Sequence, residues 1–97
     1  MRHFVVNIVY KVPLEQIEAI TQIHRDYLQT GYKKGLLLLS GPKVPRDGGI
    51  LIARSGSIEE IKDFCNNDPY ALNDAAEHHI IEFNPKSHRD ILNDWIT

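Results

Sequence analysis

A single α+β domain with the element order β-α-β-β-α-β is predicted for this chain, on three observations. β-branched, aromatic and aliphatic residues concentrate in short runs over 3–10, 36–39, 50–53 and 78–83. One long stretch after the first run, and a second after Ser57, carry apolar residues at three- and four-residue spacing. Ninety-seven residues suffice for one core and not for two, so the domain spans 1–97.

The first strand is His3 to Tyr10, with Phe4, Val6, Ile8 and Tyr10 on one face. Pro13 suits a first helical turn. Leu14, Ile17, Ile20, Thr21, His24, Tyr27, Leu28 and Gly31 then share one helix face, opposite Glu15, Glu18, Gln22, Arg25, Asp26 and Gln29, and the helix ends near Gly35. Leu36 to Leu39 is too short for a helix between Gly35 and Gly41-Pro42 and reads as a buried second strand. A turn over Lys43 to Asp47 leads to Ile50-Leu51-Ile52-Ala53, antiparallel to the second strand. Ser57 and Glu60 form a capping-box pattern before Ile58, Ile61, Phe64 and Cys65, a helix reaching about Asn66. Asp68-Pro69 starts a further short helix to about Ala75. His78 to Phe83 is the last strand, and Ser87 caps an expected final helix carrying Ile91, Leu92, Trp95 and Ile96.

Composition excludes several classes. Apolar residues at 42% and charged residues at 25% are ordinary for a globular protein. No apolar run approaches the roughly 18 residues of a spanning helix, so no membrane association is expected. Met1-Arg2-His3 passes directly into a strand, with no signal-like region, and a cytoplasmic location is expected. A net charge of -2 without a basic block argues against nucleic acid. An RNA-recognition module shares the strand order, but its basic and aromatic sheet motif is missing. Cys65, the one cysteine, falls on an apolar helix face and reads as a small hydrophobe.

The order is the ferredoxin-like pattern, with both helices on one face of a four-stranded antiparallel sheet. Several strands are nevertheless apolar on both faces: Val5 and Val9 oppose Val6 and Ile8, and Leu51 opposes Ile52. A homodimer through the open sheet face is therefore expected.

His24 in the first helix, Leu39-Ser40-Gly41-Pro42, Asp68-Pro69-Tyr70 and Ile81-Glu82-Phe83 together, in this order along the whole chain, resemble the YciI (YCII-related) family. The resemblance implies a dimeric α/β barrel with a pocket in each subunit and a histidine-aspartate pair, here His24 and Asp68. It also implies acid-base chemistry on small, cyclic or aromatic compounds, of lyase or isomerase type, without a cofactor.

Each of these residues also has a purely structural reading. His24 interrupts an apolar stripe and points at the sheet, so it is either a core histidine with one hydrogen bond or a catalytic group. Asp68 before proline is an ordinary N-cap, and its two oxygens allow one to hold an imidazole while the other caps the helix. Such a carboxylate fixes the tautomer and leaves the second ring nitrogen free for a ligand proton. Ser40, Gly41 and Pro42 either line the pocket mouth or end a strand. Pro69 and Tyr70 complete the expected substrate contacts, although Tyr70 could equally pack. His78 and His79 leave a strand on opposite faces and cannot chelate one metal together, and no zinc spacing occurs elsewhere. The alternative to an enzyme is a small-ligand-binding or interaction domain of the same fold.

Overall fold

Alternation along the N-terminal strand decides which way the sheet faces. In the computed structural model, which describes all 97 residues, β1 (Arg2–Tyr10) buries Phe4, Val6 and Ile8 completely on one side. Val5, Asn7 and Val9 on the other side are half-buried. Each fully buried side chain of this size contributes about 1.5–3 kcal/mol, so the inner face is fixed and a one-residue slip is prohibitive.

α1 (Leu14–Lys33) follows, burying Ile17, His24, Leu28 and Gly31. Gly31 is there because of contact: an added Cβ would lie 2.6 Å from Phe64 Cζ. The helix closes at Gly35, whose φ of 76° is a left-handed conformation that suits glycine. β2 (Leu37–Pro42) pairs antiparallel with β3 (Gly48–Ser55), with a bulge between Leu37 and Leu39. This strand runs beyond the predicted Leu39 and takes in Ser40, Gly41 and Pro42. It is an edge strand, where the missing N–H of Pro42 is tolerated.

α2 (Ile58–Asn66) is capped by Ser57, whose side chain accepts from the Glu60 N–H at 3.3 Å. α3 (Pro69–Leu72) is capped by Asp68, and β4 (Ala76–Phe83) pairs with β1. β4 starts two residues before the predicted His78 because Ala76 and Glu77 lie opposite Tyr10 and Val9. The order β2-β3-β1-β4, antiparallel throughout, is the ferredoxin-like sheet.

The C-terminal tail is less helical than predicted: a single 3-10 turn, Asp90–Leu92, without a side-chain cap from Ser87. The segment is too short to stabilise a helix alone, and Asn93 and Asp94 are poor helix formers. Arg54 Nη1 donates to the Asp94 and Trp95 carbonyls at 3.0 and 2.9 Å, and its guanidinium lies 4.3 Å from the Trp95 ring. Trp95 packs edge-on against His3, so the tail covers one end of the outer sheet face. On the same face Leu39, Ile81 and Phe83 stay 56, 55 and 44% exposed. No helix is long and apolar enough to cross a membrane.

Candidate functional site

Three elements meet at Asp68. The Asp-Pro step sets the start of α3, where Oδ1 accepts from the Tyr70 N–H at 3.0 Å. His24, from the middle of α1, brings Nδ1 to 2.8 Å from the same Oδ1. The second oxygen does not serve the helix, as the sequence suggests it could; Oδ2 lies 2.8 Å from Nε2 of His78, on β4. A carboxylate 1% exposed is thus bound by two imidazoles and a backbone amide.

Burial alone would push the Asp68 carboxyl up. Hydrogen bonds from His24 and His78, the charge on His24 and the Tyr70 amide outweigh it and hold the pKa at about 2. Asp68 is therefore an anion at neutral pH, and each ring nitrogen facing it carries the proton. In neutral His24 that proton sits on Nδ1, which leaves a lone pair on Nε2.

Nε2 of His24 has no partner in the protein and is not sealed from solvent. His24 lies in the wall of a cavity of about 170 Å³. Tyr70 stacks on the imidazole, with ring centroids 3.9 Å apart. The Tyr70 hydroxyl is 2.9 Å from Thr21 Oγ1, which also receives Arg46 Nη2 at 3.1 Å and donates to the Ile17 carbonyl at 2.8 Å. Because the threonine proton goes to Ile17, the Tyr70 hydroxyl donates to Thr21. The ring over His24 is locked in place by that bond.

Of the residues singled out in the sequence, His24, Ser40, Gly41, Pro42 and Tyr70 line this cavity. Ser40 Oγ is engaged by the Tyr32 hydroxyl at 2.6 Å. Asp68 stands behind His24 and away from the cavity wall. Pro69 is also off the wall: it occupies the first position of α3, and its carbonyl accepts from the Asn73 side chain. Cys65 is a buried free thiol pushed up to about 12 by burial and by the charge of Asp68, so it holds no thiolate at neutral pH. No group of three or more His, Cys, Asp or Glu side chains is arranged to hold a metal ion.

The sequence reading missed His78, Arg46, Arg25 and Tyr10. For His78 a signal existed, since alternation puts it on the inner face with Ala76 and Ile80. Arg46 lies in a loop, where no periodicity indicates a direction.

Fold and site together define a ferredoxin-like α+β domain whose helix-sheet crevice holds a buried His-Asp-His cluster beside a small cavity. The model of the YCII-related domain matches residues 1–84, and the chain belongs to that family. Among solved structures it resembles the 5-chloro-2-hydroxyhydroquinone dehydrochlorinase of Burkholderia phenoliruptrix AC1100, determined in complex with 2,5-dihydroxybenzoquinone. The TM-score is 0.73 at 18% identity, covering 92% of this chain and 97% of that one. No curated protein matches the chain in sequence.

Proposed function

We propose that this protein is a small cofactor-independent enzyme, lyase- or isomerase-like, that performs acid-base chemistry on a small cyclic substrate. His24 is the base or acid, and Asp68 positions it. One observation carries the reading: His24 lines a cavity with Nδ1 held by an ionised, buried carboxylate and Nε2 unpartnered and open to solvent. That arrangement fixes the tautomer and leaves the Nε2 lone pair free for a proton of a bound molecule. The fold likeness to a dehydrochlorinase supports the substrate class, because eliminating HCl from a ring needs a base for the departing proton.

Chloride release from 5-chloro-2-hydroxyhydroquinone, together with a panel of small lactones, tests this. Wild type should turn over at least one compound, and His24→Asn should lose about 10²–10⁴-fold in kcat. Equal turnover by His24→Asn would overturn the assignment. The competing reading, a non-catalytic ligand-binding domain, draws on the fact that the Asp68 bonds also tie α1, α3 and β4 together. Ligand binding by wild type with no turnover of any compound would favour it.

We also propose that two copies pair through the outer sheet face to form a dimeric barrel. The exposed Leu39, Ile81 and Phe83 support this, being an apolar surface that a monomer seldom leaves open. A cytosolic location accords with a single, unpaired cysteine.

A further inference from the structure

The cavity differs in charge from the protein around it. The chain has 13 acidic against 11 basic residues, yet none of the 14 residues lining the cavity is Asp or Glu, and two are arginines. Arg46 reaches in from the loop between β2 and β3. Its Nη2 is fixed on Thr21, its guanidinium lies beside the Tyr10 and Tyr70 hydroxyls, and its Nε is buried with no acceptor in the protein. The one carboxylate within 4.0 Å of it is that of the exposed Glu18, 4.0 Å from Nη1 and too far for a hydrogen bond. Arg25 contributes the second cation from α1. The anion of Asp68 is turned away, saturated by its own three donors. A cation so held, with its charge only partly compensated, favours a negative ligand group. A volume of about 170 Å³ falls below the roughly 300 Å³ at which drug-sized pockets begin.

We infer that the cavity selects a single-ring oxyanion, a carboxylate, enolate or phenolate, and that Arg46 is the residue that sets this specificity. Arg46 takes the anionic oxygen at one end of the cavity while the ring lies toward His24. The inference rests on reading this cavity as the ligand site, and it stands whether or not His24 does chemistry there.

Benzoate and its neutral isostere benzamide are the probes, titrated into the full chain and followed by the amide NMR signals of Gly41 and Gly49. Wild type should bind benzoate about tenfold or more tighter than benzamide, the worth of a hydrogen bond to a charged group. Arg46→Met should erase the preference and Arg46→Lys should keep part of it. Glu18→Gln, at an exposed position that does not threaten folding, should tighten benzoate about two- to threefold by removing the competing charge. His24→Asn should keep the preference even where it loses turnover, so failure of the acid-base reading leaves this result intact. Equal binding of the two probes to wild type, absence of binding by benzoate, or a preference unchanged in Arg46→Met or weakened in Glu18→Gln overturns it.

Discussion

His78 Nε2 lies 2.8 Å from the Asp68 oxygen that His24 leaves free. Both imidazoles are nearly buried, with side chains 10% exposed for His24 and 6% for His78. The strand histidine thus completes the satisfaction of a buried anion, and without it Oδ2 would face a low-dielectric interior with no donor. His78 does not line the cavity, and its link to His24 runs through the shared Asp68 carboxylate.

His78→Ala should therefore cost about 1–3 kcal/mol, the range for stranding a buried hydrogen-bonding group. Urea midpoints at pH 7 check this. The same variant should raise the Asp68 pKa, since one of the bonds holding it low is gone. Between pH 4 and pH 2 the variant should then lose less stability than wild type, a flatter pH slope that simple loss of packing would not produce. His78→Gln, which can still donate an N–H, should recover part of both effects.

For Asp68 itself the pH dependence has a definite sign. Its folded pKa, about 2, lies below that of an unfolded aspartate, so its stabilisation is fully present above about pH 4 and is lost as pH falls toward 2. At 1.36 kcal/mol per unit, the contribution is about 2 kcal/mol. Wild type should lose that amount more than Asp68→Asn between pH 4 and pH 2 in urea titrations. Parallel pH profiles for the two proteins would show that the carboxylate is not stabilised as the geometry implies. At pH 7 Asp68→Asn should also depress any His24-dependent turnover, because an amide presents N–H to one imidazole and forces its tautomer to change.

Much of the architecture was legible because each element carried its own period. Phe4, Val6 and Ile8 announce a strand face, and Ile17, His24, Leu28 and Gly31 a helix face. Tertiary pairing was less legible: β2 extends through Gly41-Pro42 because Ile50 and Gly49 lie opposite them on β3, which no local propensity encodes. The tail misleads for the same reason, since its last carbonyls, those of Asp94 and Trp95, accept from Arg54, about 40 residues earlier, in place of a continuing helix. At the site, His24 and Asp68 stood out as polar residues where apolar or capping roles were expected. Arg46 could not, because its placement depends on how the loop folds back onto Thr21.

The β1–β3 pairing offers a sharper test of the backbone. A Cβ at Gly48 would sit 1.9 Å from the Ile8 carbonyl oxygen, a contact that no side-chain rotation relieves. Gly48→Ala should destabilise by about 1–3 kcal/mol or more by forcing the strands apart. Gly56→Ala is the control, because a Cβ there meets nothing within 4 Å. Equal urea midpoints for the two variants would contradict the register that places Gly48 opposite Val9.

The outer sheet face carries the last prediction. Ile81, on the edge strand β4, lies opposite Val5 on that face and is 55% exposed in the single chain. In the proposed dimer it is buried, and a charge there would be desolvated against an apolar partner surface. Ile81→Asp should leave the monomer fold intact, because its side chain contributes nothing to the inner core. It should abolish the dimer in light scattering at micromolar concentration. Since the tail already covers the His3 end of the face, removing Trp95 should leave dimer formation far less affected than Ile81→Asp does. Wild type that scatters as a monomer would remove the barrel, and a dimer that survives Ile81→Asp would place its interface elsewhere.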